Sequence, residues 1–194
     1  MMVVRAASVL LVLLGGTAAI CAEPPALKAK VDALVKPLIE SQSAVGLAVG
    51  VVDRGKTAAF GYGRLSRTSD QAPDEQTLFE IGSVTKVFTA LALAQMVQEK
   101  LVSLDDPVGK WLPEPVKLPQ RDGQPITLLR LATHTSGLPR MPANFFRHSK
   151  NPRDPYADYT VDALYEGLPG QPLASVPGTQ YAYSNLGMGL LGHV

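Results

Sequence analysis

A serine and a lysine three residues apart, at the head of an apolar run, are the side chains of this sequence best placed to do chemistry. They sit in Phe79-Glu80-Ile81-Gly82-Ser83-Val84-Thr85-Lys86-Val87-Phe88-Thr89-Ala90. The pattern predicts a helix opening at Ser83, and a helix N-terminus offers unpaired N–H groups and a positive field. Both favour an alkoxide and the oxyanion it creates. Residues three apart share a helix face, so the Lys86 amine reaches the Ser83 hydroxyl. Desolvation inside an apolar helix disfavours an ammonium, and a neutral amine accepts a proton. A nucleophile beside its own base is the minimum equipment of a covalent hydrolase. The tetrapeptide by itself reads more plainly as a capping serine and a lysine snorkelling from the first turn, so the chemical reading depends on context.

A second constellation, Tyr181-Ala182-Tyr183-Ser184-Asn185, follows the turn Val176-Pro177-Gly178-Thr179. A phenolate held among cations is a competent base, and a nearby carboxamide can donate to a substrate carbonyl or hold a lysine. Taken alone, Tyr183 reads more plainly as a core aromatic and Asn185 as a helix cap. Other patterns carry less. Gly187-x-Gly189-x-x-Gly192 fits a dinucleotide fingerprint, but no strand-to-helix turn or βαβ unit surrounds it. His134 suggests a Ser-His-Asp triad, yet Ser83 lacks the Gly-x-Ser-x-Gly elbow. A capping or dipole role at the end of a short helix suits His134 better. Asp105 and Asp106 precede Pro107 in a turn and read as solvated. No His/Asp/Glu cluster has metal spacing, so neither a metal nor another cofactor is expected.

The elements that must position these groups are readable from periodicity. Ala26–Glu40 predicts an amphipathic helix with Leu27, Val31, Leu34 and Leu38 on its apolar face, bent or ended near Pro37. Val45–Val52 predicts a buried strand, Asp53-Arg54-Gly55-Lys56 a turn, and Thr57–Gly63 a returning strand. The helix from Ser83 to Lys100 is apolar on nearly every side, which predicts burial all round. Short helices are expected over Ile126–Thr133 and Val161–Leu168, with a further one starting near Ser184. Arg140–Tyr159 reads as a long surface loop at the rim of a site.

Composition narrows the classes. The formal net charge is +1 and 46% of the 194 residues are hydrophobic, without a basic patch interleaved with aromatics, so nucleic acid is not an expected partner. Residues 1–22 carry one charge, Arg5, an apolar run from Ala6 to Gly16, and small residues up to Ala22. That is the layout of a secretory signal, cleaved after Ala22 or after Ala19, which predicts a periplasmic or secreted protein with no membrane span after processing. The bulky Ile20 before Cys21 argues against lipidation. Cleavage after Ala22 would leave a mature chain without cysteine, which removes disulfides, thiol catalysis and Cys-zinc sites together. Residues 23–194 are enough to build a packed core.

Ser83-x-x-Lys86, Leu131-Ala-Thr-His134-Thr-Ser-Gly-Leu-Pro139 and Tyr183-Ser-Asn185 occur here in an order and spacing that resembles the class C β-lactamase and D-alanyl-D-alanine carboxypeptidase family of serine hydrolases. Asp53-Arg-Gly-Lys56, Leu101–Val108 and Pro177-Gly178 agree, and the resemblance covers residues 26–194. It implies a mixed α/β fold, a helical region packed on an antiparallel sheet. It implies that Ser83 is the acylated nucleophile and supplies half of an oxyanion hole. Lys86 helps to deprotonate it, Tyr183 is the partner base that passes the proton to the leaving nitrogen, and Asn185 orients Lys86 and the substrate carbonyl. The implied substrate is a β-lactam or a D-Ala-D-Ala peptide of peptidoglycan. A small-ester esterase of the same family, and a non-catalytic module sensing penicillin or wall fragments, are the alternatives.

The family's third motif, Lys-Thr-Gly or His-x-Gly, does not follow Tyr183, and the final pattern Leu186–Val194 has no helix stop, so the sequence reads as the N-terminal portion of a longer domain. Residues 23–194 alone are accordingly expected to be inactive and poorly folded, with the two predicted strands lacking partners. Hydrolysis of a chromogenic cephalosporin by that purified segment, abolished by Ser83→Ala, would contradict this.

Overall fold

The computed structural model describes residues 24–147, 149–151 and 154–194. The proposed signal segment, residues 1–22, lies outside them. The described residues form two compact units that divide between Gly82 and Ser83.

In the first unit, helix α1 (Pro24–Glu40) packs on an antiparallel pair, β1 (Gly46–Asp53) and β2 (Lys56–Gly63). The register runs from Gly46 opposite Gly63 to Asp53 opposite Lys56. Arg54 (φ 46°) and Gly55 (φ 78°) form the two-residue tip, and two successive left-handed residues match the twist of a tight hairpin. The apolar face of α1 differs from the expected one. Leu27, Val31, Val35 and Ile39 meet Leu47, Val49, Val51, Phe60 and Tyr62, while Leu34 is 74% exposed. A strict i, i+4 row fits the narrow face that a two-stranded sheet can cover. Pro37 neither bends α1 out of assignment nor ends it, because the helix continues to Glu40. Strand β1 is half-buried on alternate residues instead of buried on both faces, since α1 covers one side. Tyr62 donates to Asp32 Oδ1 at 2.7 Å. Burial and this carboxylate push the phenol up to about 12, while Lys28, Tyr62 and Lys36 hold Asp32 well below the usual carboxylate range.

The second unit is helical. Helices α2 (Thr85–Gln98), α3 (Leu128–Ala132), α4 (Val161–Gly167) and α5 (Asn185–His193) are joined by long segments that include 3-10 turns. The side-chain oxygens of Thr127, Thr160 and Ser184 cap α3, α4 and α5 by accepting from Arg130, Ala163 and Gly187 N–H. The core gathers Val108, Ile126, Leu128, Leu131, Leu138, Leu164, Leu168, Leu186, Met188, Leu190 and Leu191, with α5 lying against both α3 and α2. The chain at 104–108 crosses that at 126–129 through Val108 N–H to Ile126 O (2.9 Å) and Leu129 N–H to Leu104 O (2.9 Å), which fixes the approach to α3.

Two expectations are corrected here. Helix α2 was expected to be buried all round, but only Leu93 is buried among its residues, and Val87, Phe88 and Leu91 are about three-fifths exposed (64%, 59% and 62%). An all-round apolar pattern states that no side prefers water; it cannot supply the partners, and α5 covers one stripe. The segment 140–159 is not a plain surface loop. Phe145 is buried against Tyr156 and Tyr159, and the buried Asn144 donates to Ala163 O at 2.7 Å.

Leu131, on α3, has no exposed surface and belongs to the same core as the buried residues of α5. Leu131→Ala is expected to cost about 2–5 kcal/mol of unfolding free energy, read from the urea midpoint at unchanged m-value.

Candidate active site

Ser83 does not occupy the helix itself. It sits in a 3-10 turn, Gly82–Val84, and α2 begins two residues later at Thr85. Val84 takes the cap position with no side-chain cap bond, so the Ser83 hydroxyl is not used as a cap. Gly82, with φ 54°, makes the left-handed step that turns the chain into this position, a step most side chains resist. The hydroxyl therefore points at other partners. Lys86 Nζ donates to Ser83 Oγ at 3.2 Å, and Ser83 Oγ shares a 2.7 Å hydrogen bond with Tyr183 Oη. Lys86 Nζ also stands 5.1 Å from the centre of the Tyr183 ring. Three of the four sequence-identified groups thus converge on one oxygen.

Tyr183 is brought there by two strands of loop that lie against each other. Residues 134–140 accept from the 174–186 stretch through their carbonyls: His134 O from Ala182 N–H (2.8 Å), Thr135 O from Gly178 N–H (2.7 Å), Gly137 O from Ala174 N–H (2.9 Å), and Arg140 O from Asn185 N–H (2.9 Å). Ser184 Oγ donates to Pro139 O at 2.7 Å while capping α5. Gly137, with φ 78°, is required at the closest point: a Cβ there would lie 2.5 Å from the Ser175 carbonyl oxygen.

The electrostatics shift the Tyr183 phenol toward ionisation. Hydrogen bonding with Lys86, then with Ser83, holds the Tyr183 phenol below the ordinary tyrosine value of 10.0; the charges of Lys86 and Arg140 act in the same direction and partial burial opposes them. The Arg140 guanidinium carbon lies 5.1 Å from the centre of the same ring. A serine hydroxyl bonded to a cation-flanked phenol has a proton acceptor already in contact, which is the geometry a nucleophile–base pair requires.

Asn185 is placed differently from the other three. It is the first residue of α5, and its Nδ2 donates to Met141 Sδ at 3.4 Å. The cap of that helix is Ser184, so Asn185 is not the cap either. Sequence reasoning missed three neighbours: His134, whose ring packs on Tyr183 at 4.6 Å; Arg140; and Met141, which also accepts from Tyr156 Oη at 3.7 Å. The run Leu131–Pro139 contains His134, and the expected rim loop Arg140–Tyr159 contains Arg140 and Met141, but neither reading gave these residues a part beside Tyr183. The glycines 187, 189 and 192 lie inside α5, so they form no dinucleotide turn. Among the described residues, no group of three or more His, Cys, Asp or Glu could hold a metal, and no helix is long and apolar enough to cross a membrane.

A lowered phenol is directly measurable. With tyrosine labelled at 13Cζ, the resonance missing from Tyr183→Phe is expected to titrate below 10.0, and Lys86→Ala to move it back up toward the ordinary value.

Residues 31–194 match the family model described as β-lactamase. A β-lactamase from Pseudomonas fluorescens is 37% identical over 164 residues, which is 84% of this chain and 42% of that protein. The D-alanyl-D-alanine-carboxypeptidase/endopeptidase AmpH of Escherichia coli K12 is 32% identical over 161 residues, covering 83% of this chain and 41% of its own length. Among solved structures, a class C β-lactamase superposes with a TM-score of 0.70 at 30% identity, over 90% of this chain and 45% of that one. A β-lactamase/D-alanine carboxypeptidase from Yersinia pestis, complexed with citrate, gives 0.68 at 28% identity, over 87% and 48%. The chain thus spans under half the length of these relatives.

Proposed function

Since this chain belongs to the β-lactamase family and its fold is the mixed helix-and-sheet fold of class C β-lactamases, we propose that the full-length protein is a serine hydrolase that forms an acyl-enzyme on Ser83. The single observation that carries this reading is the Ser83 Oγ to Tyr183 Oη contact of 2.7 Å, with Lys86 Nζ 3.2 Å from the same oxygen.

In the proposed sequence, the Ser83 proton passes to the Tyr183–Lys86 pair as Oγ attacks a substrate carbonyl carbon. The carbonyl π electrons move to its oxygen, giving a tetrahedral adduct. That adduct collapses with cleavage of the carbon–nitrogen bond, and the proton held by the pair goes to the departing nitrogen. Water, deprotonated by the same pair, then attacks the ester, and Ser83 Oγ leaves with the returning proton. The proton belongs to the coupled Tyr183–Lys86 pair and not to one member of it. Such general-base assistance contributes roughly 10²–10⁴ in rate.

A strained β-lactam amide or a D-Ala-D-Ala peptide is the substrate class this reading takes, supported by the names of both kinds of relative. Asn185, at the start of α5 beside Tyr183, is proposed to donate to the substrate carbonyl. The layout of residues 1–22 supports export, to the periplasm or beyond.

The test is covalent. Incubating the full-length protein with a fluorescent penicillin is expected to add one acyl group to the peptide holding Ser83, located by mass spectrometry, and Ser83→Ala to abolish it. Reversible binding without an adduct would favour a sensing module instead, and labelling that survives Ser83→Ala would defeat the assignment.

A further inference from the structure

Among the described residues, the ring that lies against Tyr183 is that of His134, and the acyl-transfer scheme leaves it without a task. Its backbone takes φ 58°, a left-handed conformation that a non-glycine residue adopts only where the surroundings require it. Three separate contacts follow from that placement. Its carbonyl accepts from Ala182 N–H at 2.8 Å. Its ring nitrogen Nδ1 accepts from Ser184 N–H at 3.1 Å. Its ring lies 4.6 Å from the Tyr183 ring at an interplanar angle of 33°, and meets the edge of Tyr181 at 5.8 Å. Residue 134 therefore grips the chain immediately before and immediately after Tyr183, and lies against the side chain between those two points.

We propose that His134 is a positioning residue, which sets the Tyr183 phenol on Ser83 and Lys86 by clamping both neighbours of Tyr183 and supporting its ring. As a contribution to catalysis, this rests on the reading of Tyr183 as part of the base. The clamp needs a neutral imidazole carrying its hydrogen on Nε2, because a protonated Nδ1 cannot accept. Burial, and after it the Lys86 charge, hold the ring below the ordinary histidine value of 6.5 and so favour the neutral form, while the Ser184 N–H at 3.1 Å selects the tautomer with Nδ1 unprotonated. The backbone contact alone does not fix the phenol. A carbonyl bond at residue 182 leaves the side chain of residue 183 free to turn, whereas the ring contact and the Nδ1 bond bracket it. A shift of about 1 Å in a reacting group can cost on the order of 10²-fold in rate, so a residue with no bond to Ser83 can still govern it.

The experiment compares His134→Ala and His134→Asn in the full-length protein. Asparagine tolerates the left-handed backbone and offers Oδ1 where Nδ1 stands. Two readouts are taken: the Tyr183 titration by 13Cζ resonance, and the rate of Ser83 acylation by a fluorescent penicillin. In His134→Ala the phenol is expected to return toward 10.0 as it leaves Lys86, with acylation slowed on the order of 10²-fold. His134→Asn is expected to recover most of both. A merely structural residue would lower the melting temperature and leave the phenol titration of the folded protein unmoved, and that outcome overturns the proposal. So does a folded His134→Asn protein whose two readouts match those of His134→Ala. If His134→Ala does not fold, the 15N shifts of wild-type His134 decide: a proton on Nδ1 overturns the clamp, and an unprotonated Nδ1 coupled to Ser184 N–H supports it. Failure of the wild-type protein to acylate would sink the acyl-transfer reading alone, because the titration and the tautomer are read without turnover.

Discussion

The docking of residues 134–140 against 174–186 is the constraint from which the site follows. Carbonyls of His134, Thr135, Gly137, Pro139 and Arg140 each accept from the facing stretch, four from backbone N–H groups and Pro139 from the Ser184 hydroxyl. Residues 134–140 are neither helix nor strand, and the facing stretch is irregular until α5 begins at Asn185, so each leaves backbone groups that the other pairs. Two demands meet at Ser184, whose Oγ caps α5 by accepting from Gly187 and fixes the loop by donating to Pro139. Because α5 then packs its buried Leu186, Met188, Leu190 and Leu191 into the core, the placement of Tyr183 is tied to the most buried part of the unit. The backbone that follows the phenol is anchored to the core through α5, and the ring itself lies against His134 of the facing loop.

Much of this was legible in the residues because it is local. The hairpin was readable from Asp53-Arg54-Gly55-Lys56 between two β-rich runs, since a two-residue loop fixes register by itself. The short helices before His134 and after Thr160 lie within two residues of the ranges expected from the sequence. The approach of Ser83 to Lys86 followed from a spacing of three. Its approach to Tyr183, one hundred residues on, did not; only the resemblance to a known family placed them together.

What the sequence hid was tertiary. The face of α1 was misassigned because Leu34 and Leu38 fit a helical stripe as well as Val35 and Ile39 do, and only the width of the covering hairpin chooses between them. The exposure of α2 was invisible for a related reason. Leu91 and Phe88 report their own preference for an apolar setting, not the presence of one. His134 was read as a helix-end residue, which is true of its backbone, while its ring reaches a tyrosine forty-nine positions away through a left-handed turn that no periodicity encodes.

The bond from Asn185 to Met141 has a different bearing. A thioether sulfur is a weak acceptor, far poorer than a carbonyl oxygen. The carboxamide is thus held in one orientation without being strongly committed. Exchanging sulfur for an incoming carbonyl would sacrifice little, whereas a carboxylate or backbone oxygen in the place of Met141 would compete with that carbonyl for the same hydrogen. The softness of one sulfur atom is what leaves this donor spendable.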